Sequence, residues 1–227
     1  MHTRNQILCL AVLLLASISF TSCKKKWKET TGMNLSFNYN PLSLPSGFSI
    51  NSANINVNHF KFSGKRKQGG DVQFENNSQK GFNISTAASQ QMNFEIPQGD
   101  YTSMIFDFTC ARTDTMPFIT ITGVFVDTNN VSSMVVVLIS SSVFTSSIAK
   151  NGNGGNEIMV TKSKQVSVNV VYNINYWLQT LNDSLFEEAD IESWNGVGTI
   201  IVSKEKNALI YQAIINRLNI PPTVTVN

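Results

Sequence analysis

Four acidic residues close together, Glu187, Glu188, Asp190 and Glu192, are the first candidates for chemistry in this chain of 227 residues. Two carboxylates held about 5 to 9.5 Å apart can hydrolyse a glycoside, one as acid and the other as nucleophile or base. Carboxylate oxygens can also ligate calcium. A structural reading competes with both. Ser184-Leu185-Phe186-Glu187 has the form of a capping box, and acidic residues at a helix start gain from the helix dipole. That solvated helix start is preferred, so no catalytic residue is assigned. Asp127-Thr128-Asn129-Asn130 is a second run of oxygen ligands, in an order that equally makes an ordinary turn. No metal site is assigned there, although calcium stays open. Trp27, Trp177 and Trp194 could stack on sugar rings. Trp177 reads as core and Trp27 as an interfacial residue. Trp194, in an expected loop between Ser193 and Asn195-Gly196, is the candidate ligand contact.

Other chemistries lack their residues. The chain has two histidines, and His59 is the one outside the leader. A Ser-His-Asp triad would have to recruit it, and no G-x-S-x-G elbow accompanies it. His59 is expected to be a polar residue at a strand irregularity. The usual zinc sites need more histidine or cysteine than this. Neither a P-loop nor G-x-G-x-x-G occurs, and Gly152/Gly154/Gly155 lacks both the third spacing and a following helix. No cofactor is implied. From Thr30 onward there are 12 basic and 14 acidic residues, with no basic stripe for nucleic acid. Cys110, at the end of a strand-like run, is expected to be a buried, inert thiol.

The cysteine at position 23 is different. Arg4 precedes an apolar run, Ile7 to Phe20, broken by Ser17 and Ser19 and followed by Thr21-Ser22-Cys23. As a helix this run would be ~21 Å long against a hydrocarbon core of ~30 Å, which suits a signal peptide better than a span. With small Thr21 and Ser22 before it, Cys23 resembles the lipobox cysteine of bacterial lipoproteins, which becomes the acylated first residue. The resemblance implies a lipoprotein signal peptide over 1–22, lipidation (palmitate among the chains) at Cys23 and a tether over 23–32. Lys24 to Lys28 and Trp27 would then lie at headgroup level.

The body must position whatever the chain does. Met33 to Tyr39 alternates strictly, as a half-buried strand does. Asn54 to Phe62 shifts phase, predicting a bulge near Asn58 and His59. Phe82 to Ile84 and Met92 to Ile96 are further strands. Ile96-Pro97-Gln98-Gly99 matches a type I turn, predicting a hairpin from Met92 to Cys110. Phe118 to Val126 and Met134 to Ile139 read as central strands. Gly64 to Asp71 and Asn151 to Asn156 read as loops, the second mobile. Val166 to Ile174 is another strand. Helical turns follow around Trp177 and from Ser184, then a strand over Gly196 to Val202. A helix is expected from an N-cap at Ser203 to Asn219, before Pro221-Pro222. Thr223 to Val226 is either a last strand or a frayed tail.

Many short strands between turn signals predict a mainly β protein. The expected body is one antiparallel β-sandwich over 33–227, with a C-terminal helical segment (about 176–220) packed on it. With the lipobox-like Cys23, Pro97-x-Gly99-x-Tyr101 and the sandwich pattern, the chain resembles Bacteroidetes-type cell-envelope lipoproteins. The resemblance implies an outer-membrane, lipid-anchored protein without catalysis. Lys24-Lys25-Lys26 stands where surface-exported members often carry acidic residues, so surface-facing and periplasm-facing placements both remain open. The expected function is a non-catalytic binding module for a protein or glycan partner. The alternatives are carbohydrate capture by exposed aromatics such as Trp194, and a glycoside hydrolase using Glu187 or Glu188. The expected partners are the membrane, through the lipid, and that protein or glycan, with no nucleic acid.

Overall fold

The computed structural model describes residues 26–40, 44, 46–84, 91–112, 116–162 and 164–227. The leader 1–22 and Cys23 lie outside the described residues. The chain opens with a 3-10 turn over Lys26–Lys28 and enters β1 (Thr30–Tyr39). There Met33, Leu35 and Phe37 are fully buried while Asn34, Ser36 and Asn38 keep to the outer face, as the alternation required. The long β2 (Phe48–Arg66) follows, then β3 (Val72–Asn76), β4 (Lys80–Ile84), β5 (Gln91–Pro97) and β6 (Gly99–Cys110). After these come β7 (Ile119–Val126), β8 (Ser132–Ile139), β9 (Val143–Ile148), β10 (Lys150–Asn151), β11 (Ile158–Val160) and β12 (Val166–Tyr172). The last third holds α1 (Ile174–Leu178), α2 (Asp183–Glu187), β13 (Ile191–Trp194), β14 (Val197–Val202), α3 (Ala208–Ile215) and β15 (Thr223–Val226).

Two sheets enclose the core. One has the order β10-β15-β12-β1-β5. The other curls, in the order β11-β6-β2-β7-β8-β14-β13, with β3 and β4 also on β2 and β9 also on β6. The protein is therefore mainly β, and most pairings are antiparallel. Three are parallel: β1 with β12, β8 with β14, and β10 with β15. Thr223–Val226 is a true strand, paired with both β12 and β10.

The curl has a local cause. Val57 pairs with Lys80 of β4 on one side and with Cys110 of β6 on the other, while β4 also lies opposite β7 along Ala53 to Ile55. So β6 and β7 succeed one another along the same side of β2, and β9 and β8 repeat the arrangement one strand further out. The pairing of β2 with β6 slips between Val57 and His59, the bulge that the phase change predicted. Asn58 Oδ1 there accepts from Ala111 N at 2.7 Å, and Asn56 Nδ2 donates to Pro117 O at 2.6 Å. These amides satisfy backbone groups that the break leaves without a ladder partner.

The core is dominated by phenylalanine. Phe37, Phe60, Phe62, Phe82, Phe106 and Phe108 are buried between the sheets, and Phe94 of β5 packs against Phe60 and Phe62 of β2 at 5.5 Å each. Phe48, Phe125 and Phe186 stack at the far end of β2, where α2 closes the sandwich. The C-terminal helix α3 packs through Ile210, Tyr211 and Ile214.

Several local expectations are corrected. The stretch Ile96-Pro97-Gln98-Gly99 does not make a hairpin, because β5 pairs with β1 and β6 with β2. Gly99 at φ 140° carries the chain from one sheet to the other, and Gln98 N still reaches Glu29 O at 2.8 Å. A hairpin would put the apolar faces of β5 and β6 side by side, whereas the corner lets Phe94 interlock with Phe60 and Phe62 across the core. The loop after β2 begins later than expected, since the strand runs on to Arg66. The second helical turn is capped by Asn182, whose side chain accepts from Leu185 N, and not by Ser184. Ser203 instead closes a short turn, accepting from Glu205 N and Lys206 N. α3 begins only after Asn207 and ends at Ile215. The Asn151–Asn156 loop folds on its own first residue, Asn151 Oδ1 accepting from Asn153 N and Gly155 N at 2.9 Å each.

Candidate functional site

The acidic residues singled out above gather at the Phe48 end of β2, and the contacts made there divide them. Glu187 Oε1 accepts from Thr128 Oγ1 at 2.8 Å and from Thr128 N at 3.3 Å, so it bridges α2 to the β7–β8 turn. Glu192 pairs with Lys206 Nζ across the start of α3. Glu188 and Asp190 stay exposed and line a groove of about 240 Å³ between α2 and α3. Its other walls are Leu185, Ala189, Asn207 and Leu209. Glu187 and Glu188 therefore have different surroundings, the first bonded to the β7–β8 turn and the second lining the groove.

The groove is held open by one asparagine. Asn207, at φ 49°, accepts from Asp190 N at 2.9 Å and donates to Asp190 O at 3.1 Å and Ile201 O at 2.9 Å. Asparagine tolerates this left-handed conformation better than other residues with a side chain. These bonds fix the start of α3 against β13 and β14, and with it the width of the groove.

Beside the groove runs β13, which among the described residues pairs on one side only, with β14. Its other edge presents backbone N–H and C=O groups, the template onto which an extended chain can add. Trp194 is the last residue of this strand, not a loop residue, and is half-buried opposite Val197. Ile191 is 60% exposed, Val197 52% and Leu209 77%. Sequence reasoning missed these three. The available signal was Leu209, an apolar residue absent from the buried stripe of α3. Ile191 could not be placed until β13 was known to be an edge.

The other candidates have structural surroundings. Asp127 Oδ1 accepts from Asn129 N at 2.9 Å and Val131 N at 2.7 Å, closing the β7–β8 turn. Among the described residues, no three His, Cys, Asp or Glu side chains converge as a metal ligand set. His59 sits half-buried at the β2 bulge. Trp177 is buried against Tyr172, and Trp27 lies where the chain enters the fold. Cys110 is buried beside the Tyr172 hydroxyl, close enough to interact without a well-aligned hydrogen bond. Burial pushes the Cys110 thiol up to about 12 and the Tyr172 phenol well above its ordinary range. A thiol so held is protonated at neutral pH and a poor nucleophile.

At the other end of β2 the chain entry is pinned. Arg66 Nη1 donates to Trp27 O at 2.9 Å and to Gln98 O at 3.1 Å, and its Nε to Gly70 O at 3.0 Å. Comparison with family models, with curated proteins and with solved structures finds no match to this chain.

Proposed function

We propose that this chain is a cell-envelope lipoprotein of the Bacteroidetes type, anchored through Cys23, that works as a non-catalytic binding module for a macromolecular partner. The observation that carries the binding part is the single-sided edge of β13, flanked by exposed Ile191 and Val197 and by the groove under Leu209. Exposed apolar side chains beside unpaired strand groups form an interaction surface, because backbone bonding supplies affinity and neighbouring pockets supply selectivity. The anchor rests on the short apolar leader and Thr21-Ser22-Cys23.

The test is capture of partners from solubilised envelopes by the intact chain. A protein partner retained by the native chain and lost with Ser193→Pro, which blocks the β13 edge, supports the reading. Repeated failure to retain any partner, together with hydrolase turnover by the purified protein, would overturn it.

Carbohydrate capture is the second reading, favoured by the half-exposed indole of Trp194 at the rim of the same hairpin. Indole faces stack on sugar rings through apolar contact and C–H to π attraction. Glycan-array binding that disappears in Trp194→Ala supports it; binding unchanged by that substitution removes Trp194 from the site.

A further inference from the structure

The charge of this chain is sorted along β2. Segments 26–32, 64–71, 94–101 and 149–166 hold eight basic and five acidic residues, whereas the rest of the chain from residue 26 holds six basic and ten acidic. The sequence scatters these basic segments, and the fold brings them to one end. Arg66 binds the Trp27 carbonyl, Lys162 Nζ pairs with Glu29 at 3.2 Å, and Lys67 Nζ pairs with Glu157 at 2.9 Å. Those two pairs account for two of the five acidic residues, and Glu95 accepts from Thr30 Oγ1 at 2.9 Å, so a smaller net positive charge remains on this face. Lys28, Lys65 and Lys164 are exposed around it. On the same face Met159 of β11 is 75% exposed, beside clefts of about 310 and 400 Å³ that Lys67, Lys164, Asp100 and Glu157 also line.

We propose that this end of the sandwich is a second, protein-built membrane contact that seats on an anionic phospholipid bilayer and sets the orientation of the body. The inference rests on the anchor reading above for the direction of approach. Two observations choose the occupant. The described chain begins at residue 26 on this same face, so the segment leading to Cys23 leaves from it. The charge excess matches an anionic surface, toward which lysines are drawn within about a Debye length. An exposed methionine with Lys67 and Lys164 beside it can enter the headgroup layer while the ammonium groups stay at phosphate level. Seated in this way, the body turns the α2–α3 groove and β13 away from the lipid, since they lie at the Phe48 end of β2.

The experiment uses the full, acylated chain in vesicles of phosphatidylcholine alone or mixed equally with phosphatidylglycerol. An environment-sensitive fluorophore is placed by Met159→Cys or, at the opposite end, by Leu209→Cys, and brominated lipids serve as quenchers. The expected result is severalfold stronger quenching at position 159 in the anionic vesicles than in the neutral ones, and none at position 209. Lys65→Glu with Lys164→Glu, or high salt, should abolish the difference while the chain stays attached. If the chain floats with both vesicles but position 159 is unquenched, or position 209 is quenched equally, the inference is overturned and the anchor reading stands. If Cys23 proves bare by mass spectrometry yet the chain floats only with anionic vesicles, the contact is supported and the anchor is not. A chain that floats with neither overturns both.

Discussion

The Tyr101 hydroxyl donates to the Pro97 carbonyl at 2.6 Å, four residues back around the corner that joins the two sheets. The corner would otherwise leave that carbonyl without a partner where β5 ends. Tyr101 is fully buried, and burial raises its phenol to about 12, only partly offset by the charge of Arg66. A tyrosine so placed fastens one sheet to the other, as in the tyrosine corners of immunoglobulin-like sandwiches.

Removing that hydroxyl tests the fastening. Tyr101→Phe keeps the ring and deletes one hydrogen bond, leaving a buried acceptor, so it should cost about 1 to 3 kcal/mol. The thermal midpoint should fall by several degrees, at roughly 2 to 4 °C per kcal/mol for a domain of this size. A midpoint within a degree of the native one would show that the carbonyl finds water instead.

Gly64 makes room for the same ring. A Cβ there would stand 2.5 Å from Tyr101 Cε1, and the ring cannot swing away without breaking its bond to Pro97. Gly64→Ala should therefore destabilise the protein by about 1 to 3 kcal/mol through overpacking. In a Tyr101→Val background that penalty should shrink, leaving only the approach of the new Cβ to Phe62 Cζ at 3.0 Å, and denaturant melts of the four proteins would measure the coupling.

Alkaline pH should weaken the fold in a defined window. Cys110 has an ordinary value of 9.0 and is raised to about 12, and Tyr101 moves from 10.0 to about 12. Between those limits the unfolded chain has released protons that the folded chain still holds. Stability is thus complete below about pH 9 and declines as pH rises toward 12. Denaturant midpoints followed from about pH 8 to 11 should fall, and Cys110→Val should make that fall shallower. Cys110 should also stay unreactive toward thiol reagents until the protein unfolds.

Asn207 sets the groove. Asn207→Ala loses three hydrogen bonds and strains a residue at φ 49°, so a loss of about 2 to 4 kcal/mol is expected. Asn207→Gly keeps the backbone conformation and loses only the bonds, so it should cost less. Amide hydrogen exchange over Ala208–Ile215 should speed up in both variants, more in the alanine one.

The strands were legible because alternation is a local property: Met33, Leu35 and Phe37 must share a face whatever they pack against. The bulge beside His59 was legible for the same reason, since an inserted residue shifts the phase of every side chain after it. Of the candidate site, Trp194 and the acidic group were visible as residue types, but their grouping was not. Glu187 meets Thr128 and Asn207 meets Asp190 only through the tertiary fold.

The amino-acid order by itself determined the mainly β class, the strand positions, the leader-like start and the chemical make-up of each segment. The tertiary structure alone decided that Pro97 to Tyr101 forms a corner, that α3 waits for Asn207, and that the basic segments meet at one end of β2. The reason is physical. Backbone hydrogen bonds are alike in every strand, so they do not choose partners. That choice falls to side-chain interlocking across the core, such as Phe94 against Phe60 and Phe62, between residues far apart in the chain.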